Sequence, residues 1–511
     1  MLTRAAVSAP IRDLRERYHS SSRGMAMALS SAIAVAVVAA LYLYVASFRF
    51  TLIDDAYIQL QFARNLVEHQ TWGFLPGRIA NTATSPLNVL VMAAVGLVVP
   101  SMREVALWLT ALELALTLLV LVRISRRLFD GQGYFGVLAF VGLSVNPLFL
   151  SSIGLEGTLY TLLLVLCLDL FLARQWTALA VALGLLTLTR PDGALFFLVV
   201  FVLAPLTWRQ RGVVTLLYSL VLLPWHLYSW LRLGSLVPDT LFIKLEQTAW
   251  GPTVFSDGPE LYLKRFPTEA RISVLLAPFA LLLLWRCPPA ARRIVAVLGS
   301  YGVLHYLAYA AMAVPPYHWY YLNQIVPAVL LGSLGLAALI STWRRDRLPA
   351  RLVALAGLAL PVIGLLILFA ERGYPLREAP IHSNWAAPSE YRAVGLEVRA
   401  LVEPGAVVEV HGEIGTLAYD SQRLLVDDFS DMNRTAGAIF YNDYRDTPVF
   451  RELISWNFTH RRILPPLPPA TYVLEFGVPG DGRADDPGVI KVWPISTLWT
   501  GEKTIYLRRV G

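Results

Sequence analysis

Charged residues are scarce in this chain. Lys, Arg, Asp and Glu make up 15% of its 511 residues, whereas 56% of the residues are hydrophobic and the mean hydropathy is +0.55. A soluble domain typically has about 25% charged residues, so this shortage excludes an ordinary soluble protein. Apolar runs of roughly 17–25 residues recur instead, which is the length that crosses a bilayer. The composition therefore predicts a polytopic helical membrane protein.

Cysteine is also rare. Cys167 lies within an apolar run and Cys287 follows Arg286 at the end of another, and neither placement indicates a disulfide or a metal site. The net charge of +7 does not indicate nucleic acid. Many of the Lys and Arg residues lie in short loops between apolar runs, where the positive-inside rule accounts for them. We therefore expect no nucleic-acid partner.

The ends of the first apolar runs determine the predicted topology. The run at 25–48 is too long for the hydrophobic part of a secretory signal and has no small-residue cleavage motif after it, so we expect a retained helix with residues 1–24 in the cytoplasm. The run at 85–99, bounded by Pro86 and Pro100, is only about 15 residues long. If it is re-entrant or interfacial, every later arginine cluster falls on the cytoplasmic side, as the positive-inside rule favours.

This count predicts two domains. A membrane domain at 25–370 contains about eleven crossings together with re-entrant or juxtamembrane helices. The tail at 371–511 is polar and rich in Pro and Gly, and we expect it to be an extracytoplasmic α/β domain. Its pattern predicts a helix at 389–402 and strands at 407–410, 424–426, 472–476, 489–493 and 504–507.

Two adjacent carboxylates, Asp54 and Asp55, follow the first apolar run and begin an amphipathic segment that ends near His69. Charges at the mouth of a membrane helix are costly unless they have a function. One carboxylate could act as a general base while the other orients a sugar or holds a cation. The alternative is an ordinary helix N-terminus, where Asp is favoured. The residues alone leave both readings open.

Short motifs follow this pair in order along the chain. They are DDAYI at 54–58, FARN at 62–65, TSPL at 84–87, GLEG at 154–157, TRPDG at 189–193, GSLVPDT at 234–240 with Lys244, YHWYY at 317–321 and, in the tail, GEIGTLAY at 412–419 with VDD at 426–428. The series resembles the bacterial GT-C membrane glycosyltransferases, a group that includes actinobacterial arabinofuranosyltransferases and relatives of the protein mannosyltransferases. The chain departs from the pattern at Gln61, at 69–73 and at Asp239, which lie in regions expected to face the substrates.

The resemblance implies a reaction at the outer face of a bacterial inner membrane. A sugar resembling arabinofuranose or mannose would pass, with inversion, from a polyprenyl-phosphate donor to an acceptor glycan, glycolipid or protein. The leaving phosphate needs a cation such as Lys244, Arg190 or Arg78, and the acceptor hydroxyl needs a base. By analogy, Asp54 is the base and Asp55 its helper. This chemistry requires no cofactor, although two carboxylates could hold Mg²⁺ or Ca²⁺.

Other polar residues on the same predicted face are candidates for substrate binding, and each has an ordinary structural alternative. Glu156 could bind a sugar hydroxyl or act as a helix N-terminal acid, and Arg190 with Asp192 could form a local ion pair. Lys244 could snorkel instead of binding phosphate. The remaining candidates are Tyr317, His318 and Tyr320, which otherwise form an interfacial aromatic belt, and the tail acids Glu413, Asp427 and Asp428, which otherwise end strands and turns.

A different class of protein also fits the composition, namely a polytopic lipid or glycolipid transporter or flippase with a periplasmic binding domain. Such a protein typically has charges within its helices and half-helices related by inverted repeats. Here the main mid-helix charges are Glu113 and Asp169, no repeat is evident, and the polar residues gather on one predicted face. The pattern therefore favours the glycosyltransferase.

Overall fold

The computed structural model describes residues 30–245, 250–343, 347–440 and 448–510. The predicted cytoplasmic segment at 1–24 lies outside these ranges, as do two of the arginines of the cluster near 344–351. The predictions for those residues stay predictions.

The apolar runs form helices, since a backbone inside a bilayer must satisfy its own hydrogen bonds. The helices before the tail are α1 (Ser30–Ala46), α2 (Asp54–His69), α3 (Pro86–Gly96), α4 (Met102–Leu128), α5 (Tyr134–Ser144), α6 (Pro147–Leu150), α7 (Gly157–Leu172), α8 (Trp176–Thr189), α9 (Gly193–Leu203), α10 (Trp208–Tyr228), α11 (Thr240–Leu245), α12 (Gly258–Arg265), α13 (Pro267–Ser273), α14 (Leu282–Trp285), α15 (Arg292–Ala311), α16 (Leu322–Ile340) and α17 (Arg347–Arg372). Short 3₁₀ segments at Phe255–Asp257, Ala277–Leu281, His318–Tyr321 and Ser341–Trp343 connect some of them.

Six helical segments among the described residues are long and apolar enough to cross a membrane: 102–128, 208–233, 267–285, 292–311, 318–340 and 348–372. Shorter apolar helices, of 10–17 residues, account for the other predicted crossings. The mostly helical architecture is therefore confirmed, and the number of crossings stays a prediction.

The predicted helix at 134–150 is broken in the structure. Asn146 interrupts it, and its side chain accepts hydrogen bonds from the N–H groups of Leu148 and Phe149 at 3.1 and 3.3 Å. Pro147 follows at the first position of α6, where its missing N–H and fixed φ are tolerated. An N-cap followed by proline restarts the helix, a local effect that hydropathy alone does not register.

Helix α3 begins and ends on the face that carries the tail. Shortly before α3, the Thr82 hydroxyl donates to the carbonyl of Phe429 in the tail at 2.8 Å. Just after α3, Arg103 forms an ion pair with Asp420, also in the tail. With 11 residues, α3 is about 16 Å long at 1.5 Å per residue, well short of the roughly 30 Å hydrocarbon core. This geometry supports the re-entrant interpretation of 85–99.

The tail folds as a mixed sheet with helices. Its elements are α18 (Pro388–Leu401), β1 (Val407–His411), α19 (Gly415–Ser421), β2 (Leu424–Val426), α20 (Met432–Phe440), α21 (Pro448–Asn457), β3 (Tyr472–Gly477), β4 (Val489–Thr497) and β5 (Gly501–Arg509). The strand order is β2-β1-β3-β5-β4, with β1 parallel to β2 and β3, and β5 antiparallel to β3 and β4. The five predicted strands and the helix at 389–402 are confirmed, whereas α19, α20 and α21 were not predicted.

Helix α2 lies between the bundle and the tail. At its far end the Arg64 guanidinium donates to the Tyr419 carbonyl at 3.0 Å and lies 4.3 Å from the centre of the Tyr419 ring. A second contact pairs Arg78 with Asp431 at 2.8 Å. These charged contacts fix the tail over the start of α2 and enclose a cavity there.

Candidate active site

The cavity between the bundle and the tail has a volume of about 590 Å³. The bundle contributes the first turns of α2, the segment 82–84, residues 155–156, helix α11 and the ring-bearing residues Trp250, Tyr317 and Trp319. The tail contributes residues on the loops that follow β1 and β2, together with Trp385 and Trp499. Six carboxyl groups line the cavity against one lysine, and they belong to Asp54, Asp55, Glu156, Glu413, Asp427 and Asp428. The cavity is therefore strongly acidic.

Asp54 is buried at the cavity wall, with 4% of its surface exposed. Its two carboxylate oxygens accept hydrogen bonds from the backbone N–H groups of Gly415 and Thr416, at 2.8 and 2.7 Å. It makes no capping bond to its own helix, because α2 begins after Ile53 without a side-chain cap. Asp54 therefore holds the first turn of α19, a contact that the sequence does not predict, and its role as a base stays a prediction. Burial raises the pKa of its carboxyl group to about 6 against the opposing effect of the two N–H groups.

Asp55 is more exposed and is paired with Lys244. Its Oδ1 lies 3.1 Å from Lys244 Nζ, and 30% of its side chain is accessible. The Lys244 ammonium lies 4.4 Å from the centre of the Tyr317 ring and 5.0 Å from that of Trp319. Burial lowers the pKa of Lys244, but Asp55 and the neighbouring tyrosines raise it above its usual value overall. The amine is thus a fixed positive charge in the cavity.

Glu156 is held in place by a buried relay of side chains. Its Oε1 accepts from Arg190 at 2.7 Å, and its Oε2 accepts from the Gln59 amide. Gln59 in turn accepts from Asn88 at 2.6 Å. The carboxylate is 3% exposed, so its orientation at the cavity wall is tightly specified.

Behind Glu156, Arg190 connects the cavity to a second carboxylate in the bundle. Its guanidinium pairs with Asp192 at 3.0 Å. Asp192 Oδ2 also lies 3.1 Å from His305 Nε2, accepts from Asn323 at 2.8 Å and accepts from Tyr309 at 3.0 Å. Asp192 is therefore fully partnered and lies beneath the cavity, where it orients Arg190.

The structure brings half of the predicted site residues together at the cavity. Asp54, Asp55, Glu156, Lys244 and Tyr317 line it. The other five lie elsewhere. Arg78 is paired with Asp431, and Arg190 and Asp192 lie beneath Glu156. The Tyr320 ring lies 5.6 Å from the Arg190 guanidinium, and His318 is fully buried, with its Nε2 atom 3.4 Å from the Ser151 carbonyl oxygen. For these five a direct substrate contact stays a prediction without geometric support.

The sequence pattern favours a role in turns and strand ends for the tail acids that line the cavity. Glu413 follows β1, and Asp427 with Asp428 follows β2. Because β1 and β2 are adjacent and parallel, their carboxyl ends open at the same edge, where α/β sheets commonly bind ligands. The sequence does show acids directly after two predicted strands. That pattern indicates a shared site only when the two strands are known to pair in parallel, which the sequence does not show.

Burial also shifts the pKa values of these tail acids. Together with the charges of Asp428 and Asp54, it raises the pKa of Asp427 to about 7, against a hydrogen bond from the Phe429 N–H. It raises the pKa of Glu413 well above the usual range, although Tyr391, Asn384 and the Trp385 N–H donate to that carboxylate. Among the described residues, no group of three or more His, Cys, Asp or Glu is arranged to hold a metal ion. The expectation of Mg²⁺ or Ca²⁺ stays untested.

Comparison with known proteins identifies the fold. No sequence-family model and no curated protein sequence matches the chain. Among solved structures, the chain is similar to ArnT from Cupriavidus metallidurans bound to undecaprenyl phosphate, with a TM-score of 0.59 and 14% identity over 93% of this chain and 97% of that one. The apo form of ArnT gives a TM-score of 0.57 and 13% identity over 94% and 98%. Arabinofuranosyltransferase AftD from mycobacteria gives 0.49 and 17% identity over 93% of this chain and 40% of that one.

The chain therefore has the same fold as ArnT. The likeness to ArnT extends over nearly the whole length of both chains. At this level of identity it defines the architecture, a helical membrane domain followed by a sheet-containing tail, and confirms the fold class expected from the motifs.

Proposed function

We propose that this chain is an integral membrane glycosyltransferase that moves a sugar from a polyprenyl-phosphate donor to an extracytoplasmic acceptor. The observation that carries this proposal is the cavity itself, whose wall holds the Asp54 carboxylate beside the ion pair of Asp55 and Lys244. The ArnT structure with undecaprenyl phosphate bound supports the donor class. We further propose an arabinofuranose-like or mannose-like sugar, transferred with inversion to a glycan, glycolipid or protein.

The acceptor hydroxyl must lose a proton as it attacks the anomeric carbon. Asp54 suits this role because two N–H groups fix its carboxylate. Its pKa of about 6 makes it a stronger base than an ordinary Asp, and it is still mostly ionised at neutral pH. The bond from the anomeric carbon to the phosphate oxygen breaks at the same time. Lys244 suits the leaving phosphate, since a positioned cation stabilises the charge that develops there. Asp55 orients Lys244 through their ion pair.

The direct test of this function is transfer by the purified full-length protein in lipid nanodiscs. It would be incubated with a panel of polyprenyl-phosphate sugars and with neutral oligosaccharide acceptors. Turnover of at least one donor, lost in Asp54→Asn, is the expected outcome. If the protein neither transfers nor hydrolyses any of the polyprenyl-phosphate sugars, but translocates lipid in vesicles, the result would support the transporter instead.

Lys244→Ala should chiefly weaken donor binding. The substitution removes the amine that faces the phosphate and leaves Asp55 as an uncompensated repelling charge. We expect the donor KM to rise about tenfold or more, the usual effect of losing a charge-assisted hydrogen bond, with a smaller change in acceptor KM. Lys264→Ala is the matched control, because Lys264 is 73% exposed and pairs with Glu260 on the surface. An unchanged donor KM in Lys244→Ala would remove Lys244 from the phosphate site.

The proposed orientation places the loop at 97–101 on the extracytoplasmic side, with the tail. Pro100→Cys, made in a Cys287→Ser background, should react with a membrane-impermeant maleimide added to spheroplasts. Gln132→Cys lies at the other end of α4, and it should react only after permeabilisation. Both positions are exposed in the structure. Reversed accessibility of the two cysteines would mean that α3 crosses the membrane.

A further inference from the structure

The tail's side of the cavity combines acids with partly exposed aromatic rings. Asp427 is half-buried and Asp428 is exposed, and both face the cavity with the half-buried rings of Trp385 and Trp499. No side chain in the described part of the protein bonds to the Asp428 carboxylate. The Trp499 ring packs against Trp250, Tyr262 and Phe266, and the Trp385 ring makes an edge contact with Phe476, yet both rings stay partly exposed at the cavity. These groups are available to a ligand.

The contacts define an order of groups along the cavity. Lys244 contacts Asp55 at 3.1 Å, and the neighbouring Asp54 contacts the Gly415 N–H at 2.8 Å. Gly415 begins α19, two residues after Glu413 on the loop that follows β1. The acidic pair therefore lies between the one lysine of the cavity wall and the tail's acids. If the donor phosphate contacts Lys244, the tail's side of the cavity remains open for the acceptor.

The charge of this side restricts the acceptor. Of the three acids on the tail's wall, Glu413 is held largely neutral by its raised pKa, so the negative charge there belongs to the exposed Asp428 and in part to Asp427. No lysine or arginine of the tail lines the cavity within the described ranges. An anionic sugar would be repelled there, because like charges in a partly water-excluded site interact strongly. A neutral sugar instead donates its hydroxyls to carboxylate oxygens, which accept such bonds well. Its apolar C–H face can pack on a tryptophan ring.

We propose that the tail forms the acceptor subsite and that the acceptor is a saccharide without negative charge. Asp427 and Asp428 accept bonds from its hydroxyls, and Trp385 packs against its ring. One hydroxyl then points toward Asp54. This inference rests on the proposed function, because only a transferase has an acceptor. The binding of a neutral saccharide to the tail's wall is nevertheless measurable without turnover.

The experiment is a tryptophan-fluorescence titration of full-length protein in nanodiscs with no donor present. The probes are α-mannobiose, α-arabinofuranobiose and digalacturonic acid. We expect at least one neutral disaccharide to bind, and digalacturonic acid to bind at least tenfold more weakly. Asp428→Asn should raise the Kd of the neutral disaccharide about tenfold, the usual effect of losing a hydrogen bond to a charged group. Asp486→Asn, an exposed acid of the same domain outside the cavity, should leave it unchanged.

Each outcome separates this proposal from the proposed function. Neutral saccharide binding that depends on Asp428, in a protein that transfers no sugar, supports the subsite and counts against the glycosyltransferase. Turnover with an acceptor KM unaffected by Asp428→Asn, or equal binding of the uronic acid, overturns the subsite and leaves the enzyme standing. Absence of binding by both neutral disaccharides overturns the subsite as well. A donor KM that rises in Asp428→Asn would place that carboxylate on the donor's side instead.

Discussion

Asp54→Asn is expected to lower kcat by a factor of about 10²–10⁴, the usual contribution of a general base, while donor binding stays within a few-fold of the wild type. The amide is nearly the same size as the carboxylate but cannot take the acceptor's proton. In the proposed mechanism donor binding depends on Lys244 and Asp55, whose ion pair the substitution leaves in place. Single-turnover transfer and donor binding by the same purified protein would separate the two effects.

The structural role of Asp54 requires its own control. Asn has one acceptor oxygen for the two N–H groups of Gly415 and Thr416, so some loss of tail docking is expected along with the loss of the base. Gly415→Ala loosens the same contact without altering the carboxylate, since a Cβ there would lie 2.2 Å from the Asp54 carbonyl oxygen. Gly415→Ala should therefore lose melting temperature but keep more activity than Asp54→Asn. If Asp55→Asn abolishes turnover and Asp54→Asn retains it, the two aspartates exchange roles.

The pH profile gives an independent readout of the base. Burial raises the pKa of Asp54 to about 6, and the base must be ionised to act. The logarithm of kcat/KM should therefore rise with a slope of one up to about pH 6 and then level off. In Asp54→Asn the residual activity should lack this limb. A wild-type profile that is flat down to pH 4.5 would contradict a base with this pKa.

The acidic pair and its surroundings were predictable from local pattern. An amphipathic segment directly after an apolar run is a local feature, and α2 begins at Asp54 as expected. The same holds for Lys244 and Glu156, which reach the cavity from short motifs beside predicted helix ends. Hydropathy and spacing depend on the neighbours of a residue along the chain. They predict where apolar helices end, and therefore on which side of the membrane a residue lies.

The partners of those residues were not predictable, because they are distant in sequence. Asp54 bonds to Gly415, 361 positions away, and Arg103 pairs with Asp420, 317 positions away. Such contacts depend on how the tail docks. His318 differs in another way: its interfacial motif predicts a binding role, whereas tertiary packing buries the ring completely, and the predicted role stays a prediction.

Arg190→Gln is expected to destabilise the protein by about 3–5 kcal/mol, the usual result of removing one partner from a buried ion pair. Arg190 is 8% exposed and is shared by two buried carboxylates, those of Glu156 and Asp192. Its loss leaves Asp192 with only the neutral donors Asn323 and Tyr309 and the ring of His305. The free energy of unfolding, measured by denaturant titration in nanodiscs or mixed micelles, would show the effect.

The control is Arg508→Gln, which breaks an ion pair with Glu475. The two side chains are 33% and 21% exposed, respectively, so this substitution should lower the free energy of unfolding by only about 1 kcal/mol or less. A triple variant that adds Asp192→Asn and Glu156→Gln to Arg190→Gln removes the stranded charges, and it should recover much of the lost stability, because the penalty comes from unpaired buried charge. Recovery of stability without recovery of kcat would show that these charged groups also act in the reaction and do not only stabilise the fold. Equal losses in Arg190→Gln and Arg508→Gln would instead mean that water reaches Arg190 and that the relay is not a buried electrostatic unit.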